Sequence, residues 1–220
     1  DALSAQAFSR DRYEVIVADN GSTDDTRQIA EQAADTFSHF RYIFDARPGQ
    51  LVGYHRALTS AIGDISCFID DDVRPAPGWL SALSEVYGDP AVGLGTGPIT
   101  LHLPEDAPDW LDHLVLGEPG GQTLPYLGML DAGPKLREVP GNLVWGTNFS
   151  VRRSLALEVG GFHPTAMPAE LLHFYGDAEV YLAQAVCDYG LKALYHPGAS
   201  VHHVIPAERL TLSSVGRKFE

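Results

Sequence analysis

Residues 66–72 read Ser-Cys-Phe-Ile-Asp-Asp-Asp, a short apolar run that ends abruptly in three acidic side chains. A run of this kind is a buried strand of an α/β sheet, and ligands of such sheets bind just beyond the carboxyl ends of the strands. Three carboxylates in that small volume repel one another unless a cation offsets their charge. A hard divalent ion held by one or two carboxylates, with water and phosphate oxygens completing its shell, suits the position.

The design is repeated upstream, where Tyr13-Glu14-Val15-Ile16-Val17-Ala18-Asp19 is followed by Asn20-Gly21. Strand-like runs at about 13–18, 40–44, 65–69 and 91–95 alternate with helical patterns at about 22–35, 51–62 and 77–87. That alternation predicts βαβ units and a largely parallel sheet. Ser22 or Thr23 is expected to cap the first full helix, with Ala30, Ala33, Ala34 and Phe37 as its apolar stripe. Asp19 also fits an Asx-turn that simply closes the strand. Pro75, Pro77 and Gly78 break the chain before a helix that starts at Trp79-Leu80. From about 100 to 140 periodicity is poor and Pro and Gly are frequent, a pattern that is usually functional or mobile rather than idle. Order returns at 143–151, with helices near 152–159 and 177–189, a strand near 192–196, and the run Ala199–His203. Successive strand residues face opposite ways, so only one of His202 and His203 can face a site.

A length of 220 residues suits one α/β domain. The formal charge of −14 argues against a nucleic-acid backbone or an anionic membrane surface as the main partner, while a bound cation leaves room for a nucleotide. Cys67 in a predicted strand and Cys187 in a predicted helix read as buried thiols, which suggests a reducing, cytoplasmic setting. No stretch is apolar for the length needed to span a bilayer.

Six blocks occur in order: the Asp19 strand with Gly21-Ser22-Thr23-Asp24-Asp25-Thr26, then Asp70-Asp71-Asp72, Gly146-Thr147-Asn148-Phe149-Ser150-Val151-Arg152-Arg153, Gly160-Gly161-Phe162, Gly176-Asp177-Ala178-Glu179, and the stretch from Val201 through His202-His203 to Arg209-Leu210-Thr211. Together they resemble the family 2 glycosyltransferases, inverting enzymes of the GT-A fold. The resemblance covers nearly the whole chain. It implies a mainly parallel sheet flanked by helices, with an antiparallel part from the C-terminal half, in a single domain over 1–220. Residues 1–99 would form the nucleotide-binding half and 100–220 the acceptor-binding and catalytic half. In relatives a strand and the start of a helix precede this point. The chain opens at Asp1 in what looks like the last turns of a helix, so it is expected to be a fragment lacking its first strand, with an unpaired sheet edge. The helix ending at Arg217-Lys218-Phe219-Glu220 is expected to be cut as well.

The resemblance also assigns roles. The donor would be a nucleoside-diphosphate sugar, and the acceptor a saccharide or a lipid-linked sugar. Asp72 would coordinate Mg²⁺ or Mn²⁺, with His203, ahead of His202, completing the shell. Asp70 would lie towards the ribose with Asp71 assisting, and Asp19 would meet the base or ribose. Asp177 stands where the family writes Glu-Asp, so it is the expected general base, although the preceding Glu is Gly176 here. Glu179 is its competitor and, with Asn148 and Trp145, is expected in the acceptor and sugar pocket; Trp145 also fits a core position. Arg47 and the Pro48-Gly49 turn fit a loop that passes near the donor. His55-Arg56 stands where many relatives carry Arg-Asn, and Arg56 is a candidate diphosphate contact, with a helix-surface arginine as the plainer reading. Arg209 is a candidate to neutralise phosphate, with an ion pair to Glu208 as the equal alternative. The protein is expected on the cytoplasmic side, peripheral to the inner face of the membrane, with any membrane contact made by segments outside these residues.

Two other readings compete with it. A metal-dependent phosphatase or nucleotidyltransferase needs a nucleophilic Asp followed by Thr or Ser with a later Lys, or a Gly-rich activating loop; Asp70-Asp71-Asp72-Val73-Arg74-Pro75 offers neither. A non-catalytic sugar-nucleotide-binding domain of the same fold is kept open by the missing Glu before Asp177.

Overall fold

The strands emerge where the apolar runs predict them. The structure, a computed structural model, describes residues 1–47, 49–118, 121–162 and 178–219. Val15–Asp19 (β1) crosses through Thr26–Ala33 (α1) to Phe40–Phe44 (β2), which pairs with it in parallel. Gln50–Ser60 (α2) leads to Ile65–Phe68 (β3), Val73–Pro75 (β4), Trp79–Val86 (α3) and Val92–Thr96 (β5). The weakly periodic region is built from short strands: Ile99–His102 (β6), Leu116–Glu118 (β7), Gly121–Leu124 (β8), Met129–Asp131 (β9) and Arg137–Val139 (β10). Phe149–Arg152 (β11), Arg153–Glu158 (α4), Ala178–Asp188 (α5), Lys192–Tyr195 (β12), Val201–Val204 (β13) and Leu212–Phe219 (α6) complete the chain.

These strands form a five-stranded sheet in the order β10-β12-β5-β11-β3, a six-stranded sheet in the order β4-β13-β6-β9-β8-β7, and the pair β1-β2. The sheets are mixed. The ladders β1–β2, β5–β12 and β6–β13 are parallel, and the remaining pairings are antiparallel, many of them contributed by the stretch from 99 to 139 that has too little alternation to announce itself as strand. Among the described residues β1 pairs only with β2 and β3 only with β11. Between their free edges lies an open cavity of about 550 Å³, walled by Val15, Ile16 and Ala18 on one side and Ile65 to Ile69 on the other.

The main core fills the space between the five-stranded sheet and its helices. Trp79, Phe149, Phe162, Leu58 and Tyr195 are fully buried there. Phe68, Phe149, Phe162 and Tyr54 form a tilted and edge-on ring cluster with centroids 5.0–6.0 Å apart. Burying each such side chain contributes about 1.5–3 kcal/mol. A second, smaller cluster of Leu111, Leu124, Tyr126, Leu127, Ile205 and Leu210 ties the 124–127 turn to the segment after β13. That clamp sets the position of the candidate site.

Two local expectations are corrected. The first helix begins at Thr26, without a side-chain cap from Ser22 or Thr23. Instead Asp24 Oδ1 accepts from the Thr26 backbone N–H at 3.0 Å, which turns the chain just before the helix. Residues 1–8 hold turns rather than helix, closed by hydrogen bonds from the Ala5 N–H to the Asp1 carbonyl and from the Gln6 N–H to the Leu3 carbonyl.

Candidate active site

β3 ends at Phe68 and the chain reverses at once, with the Val73 N–H donating to the Asp70 carbonyl at 3.2 Å. The turn presents the three acids in three directions. Asp71 is exposed at the tip. Asp70 folds back on α2, where Gln50 Nε2 donates to its Oδ1 at 2.7 Å and the Tyr54 hydroxyl donates to the same oxygen. Gln50 and Tyr54 are four apart, so one helix face delivers both donors. Burial pushes the Asp70 carboxyl above its ordinary value; the Tyr54 and Gln50 hydrogen bonds oppose this and the Asp72 charge adds to it. Burial, then the Asp70 charge, also hold the Tyr54 hydroxyl protonated far above its usual range, so it remains a donor.

Asp72 points the other way, to β13. Antiparallel pairing sets His203 opposite Val73, and the Val204 N–H donates to the Asp72 carbonyl at 2.9 Å. This register turns His202 to solvent and His203 inward, where it is only 3% exposed. His203 Nδ1 lies 2.8 Å from the Leu127 carbonyl. A carbonyl only accepts, so Nδ1 carries the proton, and in the neutral ring Nε2 carries the lone pair. That Nε2 lies 3.3 Å from Asp72 Oδ2. Gly128, at φ +69°, makes the left-handed turn beside Leu127, and a Cβ there would sit 3.0 Å from Thr147 Oγ1. Arg209 closes the group, with Nη1 3.4 Å from Asp72 Oδ2 and 3.5 Å from His203 Nε2. Its ion pair thus reaches across the chain to Asp72 instead of to its neighbour Glu208. Among the described residues Asp72 Oδ1 is buried without a partner.

Asp19 terminates β1 in a different manner. Its Oδ1 accepts from the Gly21 N–H at 3.1 Å and the Ser22 N–H at 2.8 Å, and the Tyr42 hydroxyl donates to Oδ2. Burial raises its proton affinity, but these hydrogen bonds together outweigh burial and hold the carboxyl below its ordinary value. Arg47 is taken up by a two-point pair with Asp45, at 2.9 and 2.6 Å, and Arg56 approaches the same carboxylate at 3.5 Å. The Arg47 hydrogen bonds hold Asp45 down to about 2.

Among the described residues Asn148 is 1% exposed, accepts from Trp79 Nε1 at 2.9 Å and donates to the Ala199 carbonyl at 2.8 Å, so its amide ties α3 to the chain before β13. Trp145 is half-buried against the core and donates its Nε1–H to the Asn142 carbonyl at 2.8 Å. Asp177 lies outside the described residues. Glu179, in the first turn of α5, reaches the Asp70 group: a Cβ on Gly146 would stand 3.4 Å from Glu179 Oε1 and 3.2 Å from the Tyr54 hydroxyl. The glycine leaves room for both, and Glu179's charge adds to the forces keeping Tyr54 protonated.

Sequence reasoning missed Gln50, Tyr54 and the Leu127 carbonyl. The four-residue spacing of Gln50 and Tyr54 was a signal for the first two; a backbone carbonyl in an irregular stretch leaves none. Among the described residues no three His, Cys, Asp or Glu side chains gather closely enough to hold a metal ion unaided. Asp72 and His203 offer two donors, and the orphaned Oδ1 offers a third lone-pair direction. That set fits a hard cation whose other ligands are phosphate and water.

Residues 1–160 match the family described as glycosyl transferase family 2. The chain belongs to that family. Its relatives include the glycosyltransferase AglE of Haloferax volcanii, 28% identical over 47% of this chain and 34% of AglE. The glucosyl-dolichyl phosphate glucuronosyltransferase of the same organism is 22% identical over 92% of this chain and 62% of its own length. This family 2 chain therefore spans about one third to three fifths of those relatives. Among solved structures, the mannosyltransferase PcManGT of Pyrobaculum calidifontis, in complex with GDP-Man and Mn²⁺, superposes with a TM-score of 0.64 at 21% identity, over 96% of this chain and 53% of that one. GalNAc-T7 with UDP, GalNAc and Mn²⁺ gives 0.62 at 15% identity, over 87% and 38%. The architecture is the GT-A glycosyltransferase fold, α/β with mixed sheets flanked by helices. Among the described residues no helix is long and apolar enough to cross a membrane.

Proposed function

We propose that this family 2 member transfers a sugar from a nucleoside-diphosphate donor to an acceptor hydroxyl, inverting the anomeric centre with the help of Mg²⁺ or Mn²⁺. The observation that carries the reading is the Asp72–His203 pair at the end of β3, with one carboxylate oxygen buried and unpartnered. Asp72 and His203 would hold the cation. When bound, it would act as a Lewis acid on the departing diphosphate. Asp19, Asp70 and Asp71 would face the nucleotide. The first stands at the carboxyl end of β1 and the others in the turn after β3, the edge at which such sheets bind ligands. The GDP-Man, UDP and Mn²⁺ held by structures of the same fold support this donor class.

An inverting transferase needs one carboxylate within hydrogen-bond reach of the acceptor oxygen to take its proton. Asp177, just before α5, is assigned that role by its place in the Gly176-Asp177-Ala178-Glu179 block. Glu179 is the second reading, favoured by its approach to Tyr54 beside Asp70. The acceptor is taken to be a saccharide or lipid-linked sugar, a class to which the glucosyl-dolichyl phosphate of one relative's name belongs. The unpaired thiols of Cys67 and Cys187 suit a cytoplasmic site of action, at the inner face of the membrane.

The test is calorimetry of the full-length protein with a panel of nucleoside-diphosphate sugars, with and without Mn²⁺, followed by the anomeric configuration of the product. Donor binding that needs Mn²⁺ and a product of inverted configuration are expected. Donor binding indifferent to Mn²⁺ would remove the metal role, a retained configuration would remove the inverting one, and binding without turnover would leave a sugar-nucleotide-binding domain.

A further inference from the structure

We propose that Arg209 is a displaceable cation: its guanidinium holds Asp72 and His203 in register, yields Asp72 to the incoming divalent ion, and turns onto the donor's diphosphate. The inference rests on the metal-assisted reading above. It starts from a shared position. With Nδ1 committed to the Leu127 carbonyl, His203 turns Nε2 towards Asp72 Oδ2, 3.3 Å away, so the two atoms frame one place for a cation. Arg209 Nη1 lies 3.4 Å from one and 3.5 Å from the other, so one guanidinium corner serves both.

A divalent ion held by the same two atoms would have to approach them more closely than the guanidinium does. A guanidinium nitrogen 3.4–3.5 Å from those atoms would then press its charge against the ion's. The two cations exclude each other, and the buried free Oδ1 gives Asp72 one more lone pair for the ion than it gives Arg209. The Arg209 backbone is anchored meanwhile. Its carbonyl accepts from the Tyr126 hydroxyl at 2.7 Å, its N–H donates to the Pro206 carbonyl at 3.0 Å, and Leu210 beside it is buried. Its side chain is 39% exposed, so it can rotate about a fixed pivot. A planar guanidinium fork matches phosphate oxygens, and a cation-bound diphosphate would lie within one side-chain swing.

The test compares wild type, Arg209→Gln and Arg209→Lys in the full-length protein. Mn²⁺ alone is titrated first, read by the electron paramagnetic resonance of the free ion. Arg209→Gln should bind Mn²⁺ about two- to fivefold more tightly, the equivalent of the part-exposed ion pair it loses. Arg209→Lys, which keeps the charge, should stay within about twofold of wild type. UDP and GDP are then titrated at saturating Mn²⁺. Whichever binds wild type should bind Arg209→Gln at least about tenfold more weakly, through the loss of a charge-assisted hydrogen bond. Mn²⁺ affinity that is unchanged or lower in Arg209→Gln would make Arg209 a fixed brace and overturn the proposal. Tighter Mn²⁺ binding with unaltered diphosphate binding would overturn it too, since the turn onto phosphate would be absent. A wild type that binds no Mn²⁺ even with UDP or GDP present would overturn the metal-assisted reading itself, a result distinct from either.

Discussion

Two strands of this fold end in aspartate, and the two carboxylates have opposite surroundings. At the end of β1, both oxygens of Asp19 are served by nearby groups: two backbone N–H groups of its own turn and the Tyr42 hydroxyl of the adjoining strand. Past the end of β3, Asp72 has one oxygen with no partner among the described residues and the other facing His203 Nε2 and a part-exposed guanidinium. Burial disfavours a charged carboxyl unless hydrogen bonds replace water. Asp19 is a finished piece of structure that also stands at the ligand edge, whereas Asp72 is held by groups that a stronger cation could supplant. The same residue type at the same kind of position is thus set up for rigidity in one place and for exchange in the other.

The comparison breaks most directly at Asp72. Asp72→Asn should abolish Mn²⁺-dependent donor binding while the melting temperature holds or rises, because the amide keeps the shape and removes the charge a hard cation needs. Calorimetry with and without Mn²⁺ checks this; unchanged Mn²⁺ dependence would remove Asp72 as a ligand.

Catalysis should divide from binding at α5. Asp177→Asn should leave donor affinity nearly unchanged and lower turnover by about 10²–10⁴-fold, the usual range for a positioned general base. Glu179→Gln is the paired control, with a smaller loss expected. A dead Glu179→Gln beside an active Asp177→Asn would move the base to the carboxylate that neighbours Tyr54.

At the β1 end the expected order reverses. Asp19→Asn should cost about 1 kcal/mol of stability, the scale of one buried hydrogen bond. It should weaken the donor without changing affinity for Mn²⁺ alone. A lower melting temperature with normal donor affinity would reduce Asp19 to an Asx-turn former.

The smallest effect is a shift in acid sensitivity. Asp19's carboxyl is held below its ordinary 3.8 in the folded protein, so the stability it adds is present above that value and is lost as pH falls through the lowered one. Tyr42→Phe removes the hydroxyl donor and should raise the Asp19 value, moving the loss to higher pH. Denaturant midpoints between about pH 2 and 5 would show it, with no shift meaning that the Gly21 and Ser22 N–H groups suffice.

Much of this was legible in the residues alone. Apolar runs of four or five positions gave β1, β2, β3 and β5 to within a residue or two, because a covered strand must be apolar whatever surrounds it. The acidic turn at Asp70-Asp71-Asp72 and the strand at Val201–Val204 were visible for the same reason. The short strands between 99 and 139 were not, since a three-residue strand has no period to read and takes its pairing from neighbours.

What the sequence determined by itself is therefore the longer elements and the sheet edge at which the acids stand. Which acid does what was decided only by tertiary structure. Strand alternation allowed one inward histidine, and the β13–β4 register chose His203. Asp70 went to Gln50 and Tyr54, sixteen to twenty positions earlier, while Asp72 went to His203 and Arg209, more than 130 positions later. Local patterns report the period and burial of one segment. The partner of a carboxylate depends on which distant segments the packed core brings within about 3 Å of it, and no short stretch of chain carries that information.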